Sequence, residues 1–239
     1  HLSIRRQRQM CIRDSKKPPA GSREAIAPML SVHGRKPARR FVEPLAEILL
    51  RAGLTPNATT LIGTGVAILL ATVLIPSDHL VAAAILIGIC AVLDMVDGTM
   101  ARLRGGGTAY GATLDASCDR LTDGALFGAI VFWLVYVDGA PRPHVAACLV
   151  VLVLSQAISY IKARGEAGGL KIVGGLVERP ERLIVALVGL GLEGFGAPHA
   201  VEIAVWVLLV GSVITVVQRL MFAARDPRAN EKIAPPSGA

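Results

Sequence analysis

Residues Leu93–Arg120 read LDMVDGTMARLRGGGTAYGATLDASCDR and hold four aspartates, Asp94, Asp97, Asp115 and Asp119, between long apolar runs. An ionisable side chain at bilayer depth costs about 2.5–3.5 kcal/mol on insertion scales, so four of them require a reason. Asp94 and Asp97 are three residues apart, and Asp115 and Asp119 are four apart. Each pair therefore shares one face of a helix. The turn between them centres on Gly106, with Asp97 nine residues before it and Asp115 nine after. An antiparallel helix hairpin brings the pairs to matching depth. Carboxylates gathered in one pocket repel unless a cation sits among them. The donor set is all oxygen, which suits Mg²⁺ or Mn²⁺. Four carboxylates suffice for two such ions, the arrangement that clamps a transferring phosphoryl group. A single Asp would need no ion: Asp115 could cap a helix, and Asp119 could pair with Arg120 or Arg102. Four on two facing stripes exceed that explanation.

Outward from this stretch the chain is apolar. Of 239 residues 53% are hydrophobic and only 18% charged, and the mean hydropathy is +0.56. A soluble domain carries about 25% charged residues. The apolar residues fall in long runs, which predicts an all-α integral membrane protein. Six spans are expected near 57–75, 80–103, 112–137, 144–165, 181–194 and 199–222, the fifth being short and Gly-rich. Before them, residues 37–53 place Phe41, Leu45, Ile48 and Leu49 at helical spacing among Arg39, Arg40, Glu47 and Arg51. That pattern predicts an interfacial amphipathic helix, with Pro44 positioned to end or kink it. Four units follow: a basic arm 1–28, an N-terminal segment 29–55 with the amphipathic helix, a six-helix domain 56–224, and a tail 225–239.

The net charge of +7 is uneven, since residues 1–28 alone hold seven Lys/Arg and two Asp/Glu. The basicity belongs to that arm and is no nucleic-acid footprint. We expect Met29 to be the native start and residues 1–28 to be upstream sequence or a disordered arm. Cys11, Cys90, Cys118 and Cys148 show no metal-binding spacing and read as apolar filler. Basic residues gather on alternate connections: Arg102 and Arg104; then Lys162, Arg164, Lys171, Arg179 and Arg182; then Arg219, Arg225, Arg228 and Lys232. By the positive-inside rule these face the cytoplasm of a cell membrane, with both termini and the aspartates on that side. Asp94 lies eight residues before Arg102, about 12 Å of helix, so a lipid headgroup can reach the site. Lys162 and Arg219 continue apolar faces rather than standing in loops. Basic side chains beside an anionic metal site suit an acceptor that itself carries phosphate.

The pattern Asp94-x2-Asp97-Gly98-x2-Ala101-Arg102-x8-Gly111-x3-Asp115-x3-Asp119 resembles, at every fixed position, the signature of the CDP-alcohol phosphotransferase family. The strings RAGLTPNATT, SYIKAR, ERPERL and VQRL further resemble its actinobacterial branch that makes phosphatidylinositol phosphate. The resemblance implies six membrane helices, a homodimer in the lipid bilayer, and transfer of a phosphatidyl group from CDP-diacylglycerol to inositol 3-phosphate with release of CMP. It implies two metal ions, one held by Asp94, Asp97 and Asp115 and one by Asp97, Asp115 and Asp119, with Asp119 as the base. Asn57, Ala58, Thr59, Thr60, Gly98, Arg102 and Thr108 are implied to contact the CDP-diacylglycerol. Lys162, Arg182 and Arg219, with Arg164 and Arg179 nearby, are implied to grip the inositol phosphate. A sister enzyme using glycerol 3-phosphate, a phosphatidylglycerophosphate synthase, fits the residues almost as well. From a different class, a divalent-cation transporter would use such Asp pairs as an ion path.

Overall fold

The computed structural model describes residues 35–232, all helix and loop, with no strand among them. The expectations for the arm 1–28, for Met29 as the start and for the end of the tail fall outside that range. Seven helices follow in order: α1 (Arg35–Arg51), α2 (Pro56–Leu74), α3 (Leu80–Leu103), α4 (Ala109–Tyr136), α5 (Arg142–Ala167), α6 (Arg179–Gly194) and α7 (Ala200–Arg225).

The starts are written locally. Thr55 caps α2 by accepting from the Ala58 N–H at 3.2 Å, and Pro56 follows at the first helical position. Its missing N–H there would have had no partner in any case. Thr108 caps α4 in the same way, accepting from the Gly111 N–H at 3.0 Å. At α6 the N-cap Glu178 N–H donates to Glu181 at 3.2 Å, half of a capping box. The turn that ends α3 needs Gly105 and Gly106, whose φ values of 94° and 131° disfavour any side chain.

Four helices, α2, α3, α5 and α7, are long and apolar enough to cross a membrane. The other two expected spans differ for identifiable reasons. α6 has only 16 residues, and α4 carries Asp115, Asp119, Arg120 and Asp123 along its length. The six helices close into a ring in the order α2, α3, α6, α7, α5, α4 and back to α2, with α1 laid on α3. Its core includes Ile75, Leu80, Ile87, Phe127, Ile130, Leu134, Leu190 and Leu208. Large apolar side chains also cover the outside, among them Leu61, Leu69, Ile89, Val153, Ile203, Val210 and Val217. A surface of that kind is stable only against lipid, and this is the build of a multi-pass membrane protein.

α1 runs through Pro44 and continues to Arg51. Its buried residues are Val42 and Ala46, packed on Val96 and Met100 of α3, with Leu45 and Leu49 partly covered. Ile48, another of the apolar residues at helical spacing, is 61% exposed.

Candidate active site

α3 and α4 are consecutive but do not pack along their length; α2 packs against both and holds them apart. The expected hairpin is therefore splayed, and the cleft it leaves is the site. Asp94, Asp97 and Asp115 each offer an oxygen, all within 4.8 Å of one another. Asp119 lies one turn further along α4, outside that trio. All four aspartates nevertheless line one cavity of about 820 Å³ between α3, α4 and α6. Asp97 is the most buried of the four, and it is fixed on both sides. Thr60 of α2 donates to one of its oxygens and the Gly98 N–H to the other, the latter at 2.5 Å. Three carboxylates converging with only oxygen donors among them fit a hard divalent cation.

A second cavity, of about 880 Å³, meets the first at Asp97, Gly98, Arg102 and Asp115. The first turns of both α2 and α4 line it, through Thr55, Pro56 and Asn57 on one helix and Thr108 and Ala109 on the other. Two helix N-termini aimed at one space favour an anion there. Thr60, Gly98, Ala101, Arg102, Gly107 and Asp115 complete its wall. Gly111 lets the two helix starts approach, for a Cβ there would sit 3.2 Å from both Asn57 Oδ1 and Thr108 Oγ1. Arg102 is exposed and braced by Thr99 at 2.8 Å. Of the residues expected to touch a nucleotide, Asn57, Thr60, Gly98, Arg102 and Thr108 line this cavity. Ala58 and Thr59 do not. Thr59 faces away, within reach of Met100 Sδ at 3.5 Å, and lines an apolar cavity of about 330 Å³ beside Leu45 and Leu49 of α1.

The basic residues separate into three groups. Arg179, at the start of α6, bridges Asp94 at 3.1 Å and Asp119 at 2.9 Å. Arg182 is fully buried and donates to Asp123 at 2.5 Å. Arg219 is also buried, but its donors go to the Ile158 carbonyl at 2.7 Å, the Gly174 carbonyl at 3.2 Å and Glu178 at 3.3 Å. Lys162 is half-buried and Arg164 exposed, both near the end of α5. Sequence reasoning passed over Asp123 and Glu178. The signal for Asp123 was present, since Asp115, Asp119 and Asp123 repeat every four residues.

The loop from Gly168 to Glu178 roofs this end of the molecule and is clasped to the end of α7. The Lys171 N–H donates to Asp226 at 2.9 Å, and the Arg228 N–H donates to the same carboxylate at 2.8 Å. These two donors hold the Asp226 carboxyl below its ordinary pKa. A depressed carboxyl stabilises the folded loop above the ordinary carboxylate range and loses that effect as pH falls through its lowered value. The clasp is therefore intact at neutral pH. Asp226→Ala should speed hydrogen exchange of the Lys171 amide about tenfold at pH 7, an effect that acid should reproduce in the wild type.

Residues 53–217 match the family described as CDP-alcohol phosphatidyltransferase. The chain is 58% identical over 211 residues to a phosphatidylinositol phosphate synthase of Corynebacterium glutamicum, covering 88% of this chain and 96% of that one. It is 48% identical over 212 residues to one from Mycobacterium marinum, covering 87% and 89%. Among solved structures it resembles the Mycobacterium tuberculosis phosphatidylinositol phosphate synthase with CDP-DAG bound, with a TM-score of 0.78 and 47% identity over 82% of this chain and all of that one. A second structure of that enzyme, in complex with manganese and citrate, gives a TM-score of 0.77 at 47% identity over 81% and 93% of the two chains. With the carboxylate trio and the twin helix N-termini in place, these matches settle the lineage: the chain belongs to the CDP-alcohol phosphatidyltransferase family.

Proposed function

We propose that this chain transfers the phosphatidyl group of CDP-diacylglycerol to inositol 3-phosphate, giving phosphatidylinositol phosphate and CMP. The observation that carries the reading is the pair of cavities that meet at Asp97: one lined by two helix N-termini and favouring an anion, the other walled by all four carboxylates and Arg179. The names of the relatives support the donor, the acceptor and the use of a divalent metal. Six helices, counting the charged α4 and the short α6, cross the membrane of the cell. α1 lies in its interface, and the aspartates and both termini face the cytoplasm, as the placement of Lys and Arg favours. Two copies form a homodimer.

Asp94, Asp97 and Asp115 would hold one Mg²⁺ or Mn²⁺, and Asp97, Asp115 and Asp119 a second. When bound, such ions neutralise charge on the diphosphate of the donor. The N-termini of α2 and α4, with Asn57, Thr60, Gly98, Arg102 and Thr108, hold the CDP end. Thr60 and the Gly98 N–H keep Asp97 from rotating, which preserves the alignment of donor and acceptor. Arg179, Arg182, Lys162 and Arg164 receive the inositol phosphate, and Arg219 shapes the pocket floor. Asp119 takes the proton of the attacking inositol hydroxyl. The hydroxyl oxygen forms a bond to the β-phosphorus, the bond from that phosphorus to the bridging oxygen breaks, and CMP leaves with the electron pair.

The test is CMP release by the purified chain with Mg²⁺ and CDP-diacylglycerol. Inositol 3-phosphate should support release at least about tenfold faster than glycerol 3-phosphate, because a pocket built for a polar partner discriminates strongly. Equal or faster release with glycerol 3-phosphate would overturn the acceptor assignment.

A further inference from the structure

The acidic stripe of α4 does not end at Asp119. One turn deeper, Asp123 is buried and stands outside the carboxylate trio. Three guanidiniums converge on it: Arg182 at 2.5 Å, Arg120 at 3.7 Å and Arg179 at 3.7 Å. They arrive from two helices, Arg120 from α4 itself and the other two from the first turn of α6. Arg120 is further fixed through its own carbonyl, which accepts from Gln156 of α5 at 3.3 Å. Without a counter-charge at their centre the three cations would drive one another apart.

Their donors are not used up. Arg182 is among the largest fully buried side chains, yet its Nε and Nη1 find no hydrogen-bond partner among the described residues. The Nε of Arg120 is in the same condition, while that of Arg179 makes no hydrogen bond and faces Asp123 at 3.7 Å. A buried guanidinium with idle donors is costly unless an anion meets them. Arg120 and Arg179 also meet Asp119, and Arg179 meets Asp94, but Arg182 has Asp123 as its one carboxylate partner among the described residues, and its idle donors suit a phosphate.

We propose that Asp123 is a positioning residue for the phosphate of the acceptor, gathering Arg120, Arg179 and Arg182 into one guanidinium cluster behind the cavity that Arg179 lines. This rests on the reading that the acceptor carries phosphate, and it adds Arg120 and Asp123 to the residues that recognise it. Asp123 need not touch the substrate. Its carboxylate sets the plane of Arg182, and that plane decides where Nε and Nη1 point.

Asp123→Asn keeps the shape and removes the charge. It should raise the KM for inositol 3-phosphate about tenfold or more while the KM for CDP-diacylglycerol moves less than about twofold. Competitive inhibition by inorganic phosphate should weaken in parallel, a readout that does not depend on which alcohol is the acceptor. Asp123→Glu, which restores the charge one methylene further out, should recover most of both. If Asp123→Asn lowers the Tm but leaves the acceptor KM and phosphate inhibition as in the wild type, Asp123 is a buried counter-charge only and the proposal fails. Should Asp123→Asn not fold, Arg120→Lys decides: it keeps the charge but gives up the guanidinium fork that Asp123 gathers, so an acceptor KM and phosphate inhibition as in the wild type there would overturn the proposal. A wild type that turns over glycerol 3-phosphate alone would sink the inositol reading, and the same KM comparison with that acceptor would still decide Asp123.

Discussion

Asp119→Asn will leave a folded protein that releases CMP about 1,000-fold more slowly than the wild type, the span expected when a general base is removed. The substitution keeps the volume and one hydrogen-bond acceptor but cannot take a proton near neutral pH. Folding should survive because the partners of Asp119 are shared. Arg179 keeps Asp94 at 3.1 Å, and Arg120 keeps Asp123 at 3.7 Å. The trio of Asp94, Asp97 and Asp115 is untouched, so metal binding should weaken rather than vanish. CMP release and the Tm in detergent, read together, decide the matter. Turnover within about tenfold of wild type would remove Asp119 from the base role. Loss of the fold would place it instead among the buried counter-charges of α4.

Some of this site could be read from spacing alone because helices impose a period. Asp94 with Asp97, and Asp115 with Asp119, had to share faces once the segments were helical. The caps at Thr55 and Thr108 are equally local. The splay of α3 from α4 was not legible, because α2 wedges between helices that adjoin in sequence, and that depends on packing across the whole ring. Which residues of α1 pack on α3 was not legible for a related reason. Hydrophobicity picked out Ile48 and its neighbours, but in a membrane protein lipid takes large apolar side chains as readily as protein does. Close helix contacts then fall to small or compact residues, here Ala46 and Val42. Asp123 was missed because attention stopped at the fourth aspartate of a repeating stripe. The contacts of Arg219 could not be foreseen at all. They run to carbonyls of α5 and of an irregular loop, and no periodicity marks such partners.

Those contacts separate Arg219 from Arg182, although both are buried arginines of the same basic set. Arg219→Ala should destabilise the protein by about 2–4 kcal/mol, since it removes at once the hydrogen bonds to the Ile158 and Gly174 carbonyls and to the Glu178 carboxylate. The loss falls where three elements meet. The Ile158 carbonyl belongs to α5, Gly174 to the roofing loop, and Glu178 caps α6. Glu178 would also lose the charge partner that holds it across from its own capping contact with Glu181. Arg182→Ala removes a side chain with one strong partner and two idle donors. Its main effect should be on the acceptor KM. Measuring the Tm and both substrate KM values for the two variants tests this directly. Arg219→Ala should show a lowered Tm together with a raised acceptor KM, because the loop it anchors runs directly into Arg179, which lines the carboxylate cavity. An unchanged Tm with a raised acceptor KM would mean that Arg219 leaves its carbonyls to meet the phosphate, and the pocket floor would then have to be drawn from Glu178 and Thr215 alone, through the hydrogen bond that Thr215 accepts from the Val177 N–H at 2.9 Å.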